Sequence, residues 1–127
     1  MLLREATTGR IICERLELAV SFWRRFVGLQ FRREFFAGNG LLLAPCKSLH
    51  TCCMRFPIDV AFLDRQGTVV AVRKNIPPWR LVMSVRSAFA VLEMPANQCD
   101  LSVGQRLLLE GDERLPSALE SWRTSGR

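Results

Sequence analysis

The 127-residue chain has a single histidine, and it lacks a glycine-rich phosphate loop, a G-x-S-x-G elbow and an H-E-x-x-H pair. These gaps remove the common nucleotide-binding, esterase and zinc-protease readings. No apolar run reaches the roughly 18–20 residues that a membrane-spanning helix needs, so a soluble protein without a membrane span is expected. There is no internal repeat and no low-complexity block. Acidic residues are in the minority, 12 against 18 Lys and Arg, which leaves a net charge of +6. The excess is almost wholly Arg, dispersed from Arg4 to Arg127. Such a surface attracts anionic partners in general. Without a helix-turn-helix, zinc-finger or RNP-like aromatic signature, nucleic acid is not the expected partner. Five cysteines are an odd number, and reduced thiols rather than a disulfide framework follow. The opening Met1-Leu2-Leu3-Arg4-Glu5 turns charged before a signal-peptide core could form, and a cytoplasmic location is expected.

With 49% apolar residues and 24% charged, the chain can bury one core. Residues 9–16 read as a first strand through Ile11, Ile12 and Cys13. Ala19, Phe22, Trp23, Phe26 and Val27 recur at helical spacing and predict an amphipathic helix over 17–28, stopped at Gly28. The cluster Gly38-Asn39-Gly40 marks a turn before the buried run Leu41-Leu42-Leu43, which Pro45 ends. Period-two alternation predicts a strand over 49–56, with His50, Cys52, Met54 and Phe56 on one side. Ile58-Asp59-Val60-Ala61-Phe62-Leu63, the loop Asp64-Arg65-Gln66-Gly67 and Thr68-Val69-Val70-Ala71-Val72 form a hairpin. Pro77-Pro78 forces an extended connection. Further strands follow over 88–94 and 105–110, with one helical turn over 97–102 between them. The expected class is α+β, predominantly β: a single compact domain with a curved or barrel-like, mostly antiparallel sheet and one packed amphipathic helix. Residues 1–112 form the β-rich domain, and 113–127 a polar tail that is frayed or weakly helical.

These blocks come in a recognisable order: Val27-Gly28-Leu29, Gly40-Leu41-Leu42-Leu43, Met54 before Ile58-Asp59-Val60-Ala61-Phe62-Leu63-Asp64, Gly67-Thr68-Val69-Val70, Val91-Leu92-Glu93-Met94-Pro95-Ala96, then Gly104 and Gly111-Asp112. The set, over residues 5–112, resembles the bacterial and archaeal domain-of-unknown-function family 192. The segment from Pro45 to His50-Thr51, followed by Met54-Arg55-Phe56-Pro57-Ile58-Asp59, resembles one branch of it. The resemblance implies a small β-rich fold and no activity. The chain departs from it at Asn97, where many relatives have Gly, and at Cys52-Cys53, where bulky apolar residues are common.

The polar residues that could carry chemistry are few. His50 is the only source of an imidazole, and Cys52 lies two residues along the same strand face, about 6.5–7 Å away. That spacing suits two ligands of one metal or a thiolate beside an imidazolium. Cys46 could join them only if the chain bends back, since extended backbone would hold it roughly 13 Å from His50. Packing is the plainer role for these thiols, and for Cys13, Cys53 and Cys99. Asp59 and Glu93 interrupt apolar strands, where a buried carboxylate needs Arg or backbone N–H partners. They could face one cleft with Arg55 and His50, or serve as outward positions or turn anchors. Trp79, between Pro77-Pro78 and Arg80, is either a stacking surface for a ligand or a lid over the core. The expected function is noncatalytic binding of a small polar ligand or partner protein in a cleft near His50, Thr51, Arg55, Asp59, Trp79 and Glu93, with no cofactor. The alternatives are a metal- or thiol-dependent enzyme using His50 and Cys52 with Asp59 assisting, the candidate metal ligands being Cys46, His50 and Cys52, and nonspecific nucleic-acid binding through the dispersed Arg.

Overall fold

The computed structural model describes residues 1–21, 32–46, 48–51, 54–83 and 86–124. Ten strands run β1 (Leu2–Glu5), β2 (Ile11–Cys13), β3 (Arg15–Ala19), β4 (Asn39–Leu43), β5 (Ser48–His50), β6 (Ile58–Leu63), β7 (Val69–Ile76), β8 (Leu81–Met83), β9 (Ala90–Pro95) and β10 (Leu107–Glu110). They group into a three-stranded sheet ordered β10-β1-β2, a five-stranded sheet ordered β3-β4-β9-β6-β7 and a two-stranded sheet β5-β8. All pairings are antiparallel except β3 with β4. The fold is mostly β, as expected, but none of these sheets closes on itself, so the barrel expectation is corrected.

The reason lies in the central strands. Every residue of β6 and of β9 is buried, and their side chains divide between two cores. Leu42, Ala61, Leu63, Leu92 and Met94 face a first core shared with Leu3, Leu107 and Leu109 of the three-stranded sheet. Leu41, Leu43, Val60, Phe62 and Val91 face a second. A sheet covered on both sides reads as continuous apolar runs rather than alternation, and the Leu41-Leu42-Leu43 and 58–63 runs have this form.

The predicted hairpin forms as β6–β7, with Asp64 Oδ1 accepting the N–H groups of Gln66 and Thr68, each at 2.9 Å. Gly67 takes a φ of +84° against the Trp122 ring, where a Cβ would approach the indole to 3.1 Å. Other expectations change. Glu17, Leu18 and Ala19, placed at the start of the amphipathic helix, belong to β3 and pair in parallel with β4. A parallel pair needs a crossover of a dozen or more residues, which residues 20–38 supply; the rest of the predicted helix, 22–28, lies outside the described residues. The strand over 49–56 shrinks to β5, because at Thr51 the chain leaves the ladder and Met54 N–H turns back to the Thr51 carbonyl at 3.2 Å. No helical turn forms over 97–102; instead Gln98 N–H closes a turn on Pro95 O at 3.1 Å, with Asn97 at φ +67°.

The polar C-terminal segment is weakly helical, with a 3-10 helix at Ser117–Trp122, but residues 115–124 are not frayed. Leu115, Leu119 and Trp122 enter the first core, and Trp122, 0% exposed, donates its indole N–H to Arg65 O at 2.7 Å. Thr124 N–H then bonds Leu109 O at 2.7 Å. Three apolar side chains among polar neighbours anchor the segment. Trp122→Ala is expected to lower the unfolding free energy by roughly 3–5 kcal/mol, read from the urea midpoint. A change within error would mean that the C-terminal segment does not contribute to the core.

Candidate functional site

Strand β7 is one of the two edge strands of the five-stranded sheet, and it is irregular at its C-terminal end. The register passes from Val60 opposite Arg73 to Ile58 opposite Ile76, so Lys74 and Asn75 together oppose Asp59. This is a β-bulge, which bends a strand and re-aims its side chains. Asn75 adopts φ +55°, a left-handed conformation that Asn tolerates. The buried Asp59 carboxylate holds it: Oδ1 accepts Asn75 N–H at 2.8 Å and Oδ2 accepts Cys99 N–H at 3.1 Å. Asp59 is therefore the anchor of a bulge.

Thr51 does the same work a few residues on. It is fully buried; its hydroxyl donates to Pro77 O and accepts Arg80 N–H, both at 2.7 Å. Its backbone accepts Trp79 N–H at 3.0 Å and donates to Arg80 O at 2.8 Å. These bonds fix a turn in which Trp79 takes φ +67°, an outlier for a bulky residue. Trp79 is 64% exposed, so it is no lid over the core.

Between the bulge and the turn runs an open groove of about 410 Å³. Arg73, Lys74 and Arg80 stand around it, with Ile76, Leu81 and Val82 as its apolar part. Among the described residues, Arg4, Arg10, Arg15, Arg32 and Arg123 pair with carboxylates. No such ion pair occupies the three groove cations. Sequence reasoning had isolated Trp79 and Arg80 but missed Arg73 and Lys74; their signal was a charged pair ending an otherwise apolar strand.

The expected cleft does not assemble as a unit. Asp59 and Glu93 lie on neighbouring strands, but Asp59 is opposite Met94 and Glu93 is opposite Val60. One residue of offset turns their side chains to opposite faces of the sheet. Asp59 reaches Cys99 in the first core, whereas Glu93 shares the face of Leu41 and Val60 in the second. His50 sits opposite Leu81 in the β5-β8 ladder, beside the groove, with a buried Nδ1 that has no hydrogen-bond partner. Arg55 is exposed. Of the six expected residues, His50, Thr51 and Trp79 gather at the β5-β8 ladder and its turn, Asp59 anchors the bulge at Asn75, Arg55 is exposed and Glu93 faces the second core.

Glu93 is a site of another kind. It is 3% exposed, and its Oε1 has no hydrogen-bond partner among the described residues. Burial pushes its pKa up to about 8, only partly opposed by the charge of Arg32. Arg32 is held by Glu17 through two bonds of 3.0 and 2.9 Å. Glu93 is thus a neutral carboxyl at pH 7. Glu5, a buried acid that sequence reasoning passed over, is the reverse case: the backbone N–H groups of Thr8 and Thr7 draw its pKa down to about 2.

The model of the DUF192 family, described as "Uncharacterized ACR", matches residues 3–109. The chain belongs to the DUF192 family. A UPF0127 protein of Pyrococcus furiosus is 32% identical over 107 residues, 80% of this chain and 91% of that protein. A UPF0127 protein of Thermococcus sibiricus is 28% identical over 130 residues, 94% and 84% of the two chains. Among crystal structures, one from Sinorhizobium meliloti, described as "a putative transcription regulator", superposes with a TM-score of 0.73 at 26% identity, covering 84% of this chain and 90% of that one. A protein of unknown function from Novosphingobium aromaticivorans gives a TM-score of 0.76 at 19% identity, covering 86% and 84%, and shares the fold.

Within this DUF192 chain, the described thiols, Cys13, Cys46 and Cys99, form no cluster with other metal-ligating side chains of the described residues. Cys13 is buried, with Sγ–H donating to Gly38 O at 3.3 Å, and burial raises its pKa and that of Cys99. Cys46 is half-buried and fixed to Phe89 O through its backbone N–H at 2.7 Å. Cys52 and Cys53 lie outside the described residues. Among the described residues, no three of His, Cys, Asp and Glu gather as a metal site would require. Asn97 takes a left-handed φ of +67°, a conformation that Asn tolerates and Gly adopts freely.

Two outcomes follow from these geometries. Thr51→Val keeps the side-chain shape but strips Arg80 N–H and Pro77 O of their hydroxyl partner; a loss of about 1–3 kcal/mol is expected in urea unfolding, and an unchanged midpoint would contradict the clamp. For Glu93, the folded state keeps a proton that the unfolded state releases above about pH 4.5. Stability should therefore fall as pH rises from there to about 8, this residue contributing a slope of about 1.4 kcal/mol per pH unit. Glu93→Gln should remove that contribution; parallel pH profiles for the two proteins would show that Glu93 ionises normally.

Proposed function

We propose that this chain is a noncatalytic binding domain that takes an anionic ligand with an apolar portion in the groove between β7 and β8. The observation that carries this reading is the trio Arg73, Lys74 and Arg80 around Ile76, Leu81 and Val82, without a paired carboxylate. A cation at a groove with no internal counter-charge gains most by pairing with a ligand's anion, and the apolar side chains gain by covering its hydrocarbon.

The supporting geometry is preorganisation. Asp59 pins the bulge at Asn75, and Thr51 pins Pro77 and Arg80, so both ends of the segment carrying the cations are fixed before any ligand arrives. A ligand then orders fewer side chains on binding. Binding is favoured over catalysis because, among the described residues that line the groove, Lys74 has no thiol, imidazole, hydroxyl or carboxyl group beside it to work with as an acid or base.

The test is calorimetric titration with 1-naphthyl phosphate, using neutral 1-naphthol as the control. The phosphate ester should bind more tightly than the naphthol, and the triple variant Arg73→Ser, Lys74→Ser, Arg80→Ser should weaken it at least about tenfold while leaving the fold intact. Equal binding of ester and naphthol, or an unaffected triple variant, would sink the reading.

A further inference from the structure

We infer that the Pro77–Leu81 turn docks this domain on an anionic lipid surface, with Trp79 and Leu81 entering the interfacial layer and Arg73, Lys74 and Arg80 lying over the lipid phosphates. The inference rests on the anion-binding reading above and names the form in which the anion is presented.

Three observations point to a bilayer. First, Trp79 is 64% exposed and Leu81 72% exposed, two residues apart where the turn enters β8. Single exposed apolar residues need no explanation, and Ile11, Phe36 and Val103 are of that kind; a protruding Trp and Leu beside cations form a different pattern. Trp prefers the boundary between headgroups and hydrocarbon, where the ring is covered while its N–H stays near polar groups. Basic residues behind an apolar tip add attraction to anionic headgroups.

Second, the protrusion is held in place. Trp79 occupies a left-handed φ of +67°, and its backbone N–H is fixed to Thr51 O. Strain of this sort persists only where surrounding bonds enforce it. Here the Thr51 hydroxyl and backbone enforce it by holding Pro77 and Arg80 on either side. The bonds that hold this turn therefore leave the indole in solvent instead of folding it onto the second core, where Val82 already packs.

Third, the chemistry discriminates among polyanions. Single-stranded nucleic acid would use the cations and could stack on Trp79. It offers nothing to a Leu81 side chain that is nearly three-quarters exposed, whereas lipid hydrocarbon does.

Co-sedimentation with vesicles tests the inference. Wild-type protein should bind vesicles of phosphatidylglycerol mixed with phosphatidylcholine, and bind phosphatidylcholine alone at least about tenfold more weakly. The variant Trp79→Ser, altered at a side chain that does not line the groove, should lose about tenfold in affinity for the anionic vesicles while keeping its binding of 1-naphthyl phosphate within about threefold. Lipids brominated near the headgroup should quench wild-type fluorescence, and should not quench Trp79→Phe to the same extent. The inference is overturned if anionic vesicles are not bound, if Trp79→Ser binds them as well as wild type, or if oligo-dT binds more tightly than the vesicles and displaces them. In those cases retained naphthyl phosphate binding would leave the groove reading standing. Loss of both ligands in the triple charge variant, with loss of vesicles alone in Trp79→Ser, supports both.

Discussion

Strands β6 and β9 have protein on both faces, and this double coverage governs how every polar group within them must be treated. An acid on such a strand cannot reach water by pointing outward. It must find fixed donors or give up its charge. Asp59 and Glu93 are the two solutions. Asp59 accepts two backbone N–H groups from irregular segments that would otherwise leave those donors unsatisfied. Glu93 has no such donors at Oε1 and keeps its proton instead. One residue of register separates the two outcomes.

The groove depends on the first of these solutions. An edge strand with a bulge presents its side chains at angles that a regular ladder does not allow. The bulge at Lys74 and Asn75 is stable because Asp59 satisfies the displaced Asn75 N–H. Thr51 supplies the matching constraint across the turn, binding Pro77 and Arg80 with one hydroxyl. Buried polar residues that look like candidate site groups are here the supports of a groove whose cations, Arg73, Lys74 and Arg80, are exposed.

Much of the architecture was legible because it was local. Turn chemistry at Asp64 and Gly67 and the apolar runs on either side were sufficient for the β6–β7 hairpin, and the ordered motif blocks were sufficient for the family. The helix over 17–28 was misread at its start because Ala19 fits a helical stripe and a strand face equally well, and only pairing with β4 decides between them. The fixed residues 115–124 were hidden in a polar segment, since three apolar side chains matter only when a core lies within reach. For the site, the unusual residue types were found, but their directions were not. Asp59 and Glu93 look alike in sequence, each an acid between apolar neighbours.

The sequence by itself determined the strand-rich class, the central hairpin and the two acids set in apolar strands, because these rest on periodicity and turn propensity within a few positions; the family followed from the resemblance of the ordered motif blocks. Tertiary structure alone decided which face each acid occupies, where the bulge falls and which cations stand without a paired carboxylate among the described residues. Those properties come from register between strands distant in the chain, and a shift of one residue, which composition and local spacing do not encode, reverses them.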